Sequence, residues 1–227
     1  MPQAIDHLIT LYSAPLSMFG MKAEIALLEK GLEAEVITVP FDADDRYRPK
    51  HPEVLRVNPK RQVPVLLHGA VEIFDSTQIF EYLEDLRPEP PLWPRGPAAR
   101  ALARQRELMA DEVYFPLVIR LMFLNREQEP DAVAAATEGA LAFYQRAEQW
   151  LEGGDWLCGD YSYADIALYM AALFGERHRA GMTGATPKLL AWRARMTARP
   201  AVQPVAARLV RWLRAAGRRV PASLAAF

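Results

Sequence analysis

Most residues of this 227-residue chain that are arranged to do chemistry lie between Asn58 and Leu83, in NPKRQVPVLLHGAVEIFDSTQIFEYL. Two short apolar runs, Val65–Leu67 and Val71–Phe74, flank a turn at Gly69 and read as a β-hairpin. Pro64 opens the first run and cannot donate a backbone hydrogen bond there. A cis Val63–Pro64 bond would leave the Val63 N–H and C=O facing outward, where an extended peptide can pair with them as an added strand. Asp75 and Ser76 then open a helix whose apolar Ile79, Leu83 and Leu86 follow i, i+4, i+7 spacing. A helix starting at Ser76 leaves several N–H groups unpaired and electropositive, which suits a carboxylate. Together the hairpin, the proline and the helix start outline a site for a small anionic peptide.

Other chemistries find no support. His7, His51, His68 and His178 are scattered, and no Cys/His cluster has metal-ligand spacing, so no metal is expected. No G-x-G-x-x-G, Walker loop or G-x-S-x-G occurs. The single cysteine, Cys158, rules out an internal disulfide framework and is expected to be a small buried hydrophobe. With 51% hydrophobic and 24% charged residues the composition is that of a soluble globular protein. The first ten residues carry Asp6 and His7 and no long apolar run, so neither a signal peptide nor a membrane span is expected, and the default address is the cytosol. The net charge of −1 divides into −5 over residues 1–87 and +4 over 88–227, and the stretch from Arg177 to Phe227 has 11 basic residues and no acidic one. That basic stretch reads as a solvated helix face. Nucleic acid is not the expected partner, because Trp192 and Trp212 fall where helix cores need them rather than between bases.

The elements that must position these residues follow in order. His7–Tyr12 is a strand, Ser13–Ser17 a turn, and Met18–Lys30 a helix with Met21, Ile25 and Leu28 at helical spacing and Gly31 as its C-terminal stop. Glu35–Val39 is a second strand, and residues 41–59 are irregular apart from a short helix near Pro52–Arg56. The hairpin and its helix complete a β-α-β-(α)-β-β-α order, a small α/β sandwich spanning residues 1–87. Arg87–Pro97 contains five prolines in eleven residues and reads as a stiff linker over 88–97. Residues 98–227 read as all-helical: a long helix to about Arg126 kinked near Pro116, then Pro130–Leu151, a helix from Ser162 with Ile166, Met170 and Leu173 buried, Pro187–Ala198, and Gln203–Leu213 with Val205, Leu209 and Trp212 on one face. The last dozen residues read as a loose tail.

The chain resembles the cytosolic glutathione transferases over nearly its full length. The resemblance is carried by LYSAPLSMFGMKAEIALLEKGL, then NPKRQVPVL and FDSTQIFEYL, then GDYSYADIAL, in that order around the proline linker. It implies a thioredoxin-like first domain holding glutathione as co-substrate and an all-α second domain. It further implies a second-substrate pocket, a homodimer and a detoxifying role.

The resemblance also implies roles for individual residues. Ser17 stands where serine-type classes (zeta, theta, delta) keep their catalytic serine, whose hydroxyl donates to the glutathione sulfur. One charge-assisted hydrogen bond of about 1.5–3 kcal/mol would bring a thiol from about 8.5 to about 6.5–7.5. The alternative is that Ser17 only caps its helix. Ser13 falls near the catalytic tyrosine of other classes, which argues against that type. Phe19 falls where zeta-like chains keep a cysteine, and no cysteine lies between Ser13 and Lys22. Val63, with Pro64 cis, would pair with the cysteinyl backbone; Asp75 and Ser76 would hold the γ-glutamyl end. Arg61 and Gln62, with Lys50 and His51 as weaker candidates, would meet the glycine carboxylate. Tyr12, Leu16, Tyr114, Phe115, Arg120 and Phe123 would line the second-substrate pocket, with Arg120 suited to an acidic electrophile. Asp165 matches a buried helix-capping aspartate with a structural role.

The expected activity is addition of the glutathione thiolate to a small hydrophobic electrophile. The alternatives are a non-catalytic binding or regulatory protein on the same fold, or a specialised glutathione-dependent isomerase, dehalogenase or lyase.

Overall fold

The computed structural model describes residues 7–40 and 50–227. The irregular stretch anticipated at 41–49 lies outside the described residues. Two compact units divide the chain, Met1–Pro90 and Pro91–Phe227.

The first unit is an α/β sandwich on a four-stranded mixed sheet. β1 (Ile9–Ser13), β2 (Ala34–Thr38), β3 (Val65–His68) and β4 (Val71–Phe74) are ordered β2-β1-β3-β4. β2 runs parallel to β1, while β3 and β4 form an antiparallel hairpin whose turn residue Gly69 has φ +60°. The helices are α1 (Met18–Glu29), α2 (Pro52–Val57) and α3 (Ser76–Leu86). Successive strand residues face opposite sides of the sheet, and this alternation builds two cores. Leu11 and Leu66 face the side covered by α1 and α3, where Ile25, Ile79 and Leu83 are fully buried. Tyr12 and Val65 face the other side, packed with Ala14, Val39 and Val54 and flanked by Val57, Val63 and Phe74.

α1 stops as its sequence predicts: Gly31 has φ +59° and Leu32 N–H returns to Leu27 C=O. Leu28, expected in the buried stripe, is instead 46% exposed: it shares a face with the buried Met21 and Ile25 but lies in the last turn of α1. At the helix end the buried Lys30 pairs with Glu84 of α3 and donates to Pro90 C=O at 2.7 Å.

The second unit is helical. α4 (Pro97–Leu108) continues through a π-helical stretch, Met109–Tyr114, into α5 (Phe115–Arg120). This corrects the expectation of a simple proline kink. Pro116 sits in the first turn of α5, and the widened π turn before it absorbs the missing N–H. α6 (Pro130–Trp150), α7 (Tyr163–Arg177), α8 (Pro187–Ala198) and α9 (Val202–Ala215) follow. α7 is the central helix: every residue from Tyr163 to Glu176 is buried, not only the Ile166–Met170–Leu173 stripe, as befits a helix apolar on all sides. Trp192 is fully buried, whereas Trp212 is half-buried beneath the Arg218 guanidinium.

Two further expectations are revised. The proline-rich stretch is more than a spacer. Leu92 and Trp93 are buried, Leu92 C=O accepts from Tyr163 N–H at 3.0 Å, and the Trp93 and Tyr163 rings meet at 4.9 Å. The last dozen residues are not a loose tail. Leu224 is fully buried in a 3₁₀ turn, Ser223 donates to Glu176 through both N–H (2.9 Å) and Oγ (2.6 Å), and Arg214 donates to Ala225 and Phe227 carbonyls.

Candidate functional site

The sheet register sets the site. Tyr12 of β1 lies opposite Val65 of β3, and Val65 lies opposite Phe74 of β4. The chain therefore leaves β1 toward Ser17, enters β3 from Val63–Pro64 and leaves β4 into Asp75–Ser76 at one end of the sheet. Three segments far apart in sequence are brought together by hydrogen-bond register alone.

Ser17 is the N-cap of α1, with extended backbone and a half-buried side chain. Its Oγ accepts from Gly20 N–H at 3.0 Å. A hydroxyl that accepts still keeps its own hydrogen to donate, so capping and donation to an anion are compatible. No acidic side chain stands in the first turn of α1, and the positive end of the helix dipole is unopposed there.

Val63–Pro64 is a cis peptide bond. Among the described residues, none takes the Val63 N–H or C=O. The turn before it is organised by a residue that sequence reasoning missed. Asn58 is 3% exposed and donates through Nδ2 to Gln62 C=O at 2.6 Å, while its Oδ1 accepts from Lys60 N–H at 2.9 Å. Its backbone carbonyl accepts from Arg61 N–H at 2.8 Å. An asparagine just after a short helix and before a proline is the available signal, since Asn side chains fold back on nearby backbone in turns. Arg61 and Gln62 are exposed on this turn, Arg61 in a left-handed conformation with φ 56° and its carbonyl held by Lys50 Nζ at 2.5 Å. His51 is used elsewhere: it caps α2, its Nδ1 accepting from Glu53 N–H at 3.3 Å.

At α3 the cap is Asp75, and Ser76 is the first helical residue. Asp75 Oδ1 accepts from Thr77 N–H at 3.0 Å, and its other oxygen lies 3.7 Å from Lys60 Nζ. Asp75 has φ 78° and ψ 130°, a conformation that residues with side chains rarely adopt and that costs of order 1–3 kcal/mol. The fold holds it there through the cap. Ser76 is 3% exposed, and among the described residues none takes its N–H.

The residues expected to meet the second substrate fall into two groups. Tyr12 (6% exposed) and Leu16 (7%) belong to the first unit. Tyr12 packs in its core with its ring 4.7 Å from that of His51, and burial together with Glu53 and Glu35 raises its phenol above the ordinary range. In the second unit Tyr114 is corrected to a core residue. It is fully buried, its hydroxyl pairs with that of Tyr144, and its ring lies 5.1 Å from Phe143. Phe115 is half-buried at 5.3 Å from Phe174, and Arg120 and Phe123 are exposed.

Asp165 is wholly buried and accepts from Leu157 N–H, Trp192 Nε1, Ser162 N–H and Ser162 Oγ at 2.9–3.1 Å. That set ties α7 to α8 and to the loop before α7, a structural task. Cys158 is half-buried rather than fully so, and burial pushes its thiol up to about 11, which makes it a poor nucleophile. Among the described residues no cluster of His, Cys, Asp and Glu could hold a metal ion, and no helix is long and apolar enough to cross a membrane.

Comparison with known proteins identifies the family. The family model of the glutathione S-transferase N-terminal domain matches residues 11–91, and that of the C-terminal domain matches residues 108–200. Glutathione S-transferase 1 of Dianthus caryophyllus is 43% identical over 97 residues, 42% of each chain. Glutathione S-transferase U17 of Arabidopsis thaliana is 30% identical over 208 residues, 87% of this chain and 89% of that one. A glutathione transferase family member from Pseudomonas fluorescens, solved with two glutathione bound, superposes with a TM-score of 0.76 at 27% identity, covering 90% of this chain and 94% of the other. With both domains matched in order and a relative aligned along most of its length, the chain belongs to the glutathione S-transferase family.

Proposed function

We propose that this protein is a serine-type glutathione transferase, in which Ser17 donates to the sulfur of bound glutathione and the thiolate attacks a small hydrophobic electrophile. The observation that carries this reading is the state of Ser17. Its Oγ accepts from Gly20 N–H, keeps its own hydrogen, and stands at the same sheet end as Val63 and Ser76. Val63 pairs with the cysteinyl backbone of glutathione, the N-terminus of α3 at Ser76 takes the γ-glutamyl carboxylate, Asp75 lies near the α-amino group, and Arg61 and Gln62 meet the glycine end. Phe115, Arg120, Phe123 and Leu16 are the residues to vary for electrophile choice.

The test is a glutathione titration followed by calorimetry and by thiolate absorbance across pH. Binding with a bound-thiol pKa well below about 8.5 supports the reading; absence of binding removes it.

Two variants probe the peptide site. Ser76→Ala is expected to raise the Kd for glutathione about tenfold, the loss of one hydrogen bond to a charged group. An unchanged Kd would take Ser76 out of the site. Asn58→Ala is expected to lower stability by about 1–2 kcal/mol and to raise the Kd severalfold, because the turn that presents Val63 loses both side-chain hydrogen bonds. Calorimetry and thermal denaturation of the same preparation separate the two effects.

A further inference from the structure

A second hydroxyl lies beneath the head of α1. Ser13, the last residue of β1, is 1% exposed, and its Oγ is buried with no hydrogen-bond partner among the described residues. Its backbone is fixed: it lies beside Thr38 in the sheet, and its carbonyl accepts from Val39 N–H at 2.7 Å. Only the side chain is unassigned. A buried hydroxyl left unpaired costs about 1–3 kcal/mol, so its presence calls for a use.

The surroundings show where it points. A side chain at Gly20 would collide with Ser13 Oγ and begin 3.2 Å from Ser17 Oγ. Glycine at position 20 is therefore what allows Ser13 to reach under the first turn of the helix, and it leaves both hydroxyls around one small space. Ser17 Oγ already accepts from Gly20 N–H and has a second lone pair. A change of χ1 between staggered rotamers, about 2 Å at a serine oxygen, is the motion that would turn Ser13 Oγ–H toward that lone pair.

We propose that Ser13 is a positioning residue for the thiolate site, donating to Ser17 Oγ so that the Ser17 hydrogen is directed out to the glutathione sulfur. This rests on the reading of Ser17 as the sulfur's donor. A hydroxyl that accepts from a second donor becomes a stronger donor itself, since chains of hydrogen bonds polarise one another. The relay carries no proton to or from the sulfur; it orients and strengthens one bond. Lys22 of α1 holds its ammonium 5.4 Å from the Phe19 ring and 5.1 Å from that of Phe80. Its charge is common to every variant below and cancels in their comparison.

The experiment is a double-mutant cycle on Ser13→Ala and Ser17→Ala, with thiolate absorbance of the glutathione-saturated protein read against pH. Ser13→Ala is expected to reduce the thiolate fraction on the acid limb about threefold with the Kd for glutathione unchanged, and to have no effect once Ser17 is alanine. A Ser13→Ala profile superimposed on wild type, with a raised Tm, overturns the proposal: the hydroxyl would then be a structural defect only. An equal effect of Ser13→Ala in both backgrounds also overturns it, since Ser13 would not be acting through Ser17. Ser13→Cys, close in size and a weak donor, gives the same reading if alanine disturbs folding. Should wild type bind glutathione without lowering its thiol pKa, the reading of Ser17 fails first and takes this one with it.

Discussion

Replacing Ser17 with alanine is expected to lower kcat/KM about tenfold at pH 7 while leaving the affinity for glutathione nearly unchanged. A thiol at its ordinary pKa of about 8.5 is only about 3% ionised at pH 7, whereas one brought to about 6.5–7.5 is about 25–75% ionised. The ratio of those fractions sets the expected loss at about eight- to twenty-five-fold. The same shift should reappear as an acid limb of the pH–rate profile displaced upward by about one to two units. At pH above 9 the variant should recover most of its rate. The cap complicates the comparison, because Ser17 Oγ also accepts from Gly20 N–H, and losing an N-cap costs about 1 kcal/mol of stability. Ser17→Asp separates the two roles. Aspartate caps as well as serine, so Tm should hold, but a carboxylate cannot donate to a thiolate and repels it, so the rate should fall at least as far as in alanine. If Ser17→Ala keeps the wild-type pH profile and loses only stability, Ser17 is a cap and nothing more.

The parts of this site that are legible in the sequence share one property: their information is local. Pro64 at the mouth of a hairpin and an Asp-Ser pair before an i, i+4 stripe encode their own backbone geometry, and both segments fold as read, with the cap on Asp75. Ser17 is legible for the same reason, being the last polar residue before an apolar helix. What is not legible depends on partners distant in the chain. Leu28 shares the period of the buried Met21 and Ile25 and is still exposed, since how far packing extends along a helix face is settled by the neighbours. Tyr114 reads as a pocket aromatic and is core, because the residue that satisfies its hydroxyl, Tyr144, lies on another helix. The C-terminal dozen reads as a loose tail. Glu176, 47 residues earlier than Ser223, supplies the partner that holds it. The π stretch at Met109–Tyr114 leaves no periodic trace, as one widened turn shifts the apolar register by a single residue. The close approach of the Ser13 hydroxyl to the head of α1 depends on Gly20, which in the sequence looks only like a weak helix residue.

Asp165 should give the largest loss of stability of any single substitution considered. Its carboxylate satisfies four donors from Leu157, Trp192 and Ser162, all three of them fully buried. Asp165→Ala strands them where water cannot reach. Each orphaned buried donor costs about 1–3 kcal/mol, and even partial relaxation leaves a loss of about 3–5 kcal/mol against the 5–15 kcal/mol typical of a whole domain. Thermal or denaturant unfolding should show the second unit losing cooperativity, while glutathione affinity measured well below Tm stays close to wild type. A loss under 1 kcal/mol would mean that the network contributes little. Asp165→Asn isolates the charge. The amide oxygen can still accept from Leu157 and Trp192, but its NH₂ meets the Ser162 N–H donor to donor, so an intermediate loss is expected. The pH dependence carries a definite sign. Burial pushes the Asp165 carboxyl up to about 6, above its ordinary value of 3.8, against the four hydrogen bonds that hold it down. A folded-state pKa raised in this way means that the folded protein binds more protons than the unfolded chain between those two values. The stability this group contributes is full below about pH 4 and is lost as pH rises through about 6. Asparagine has no such titration. The stability gap between wild type and Asp165→Asn should therefore be widest near pH 4 and narrow by pH 7, with every other carboxylate cancelling in the difference. A gap that instead widens as pH rises would show that the hydrogen bonds outweigh burial, and that Asp165 is held ionised in the folded protein.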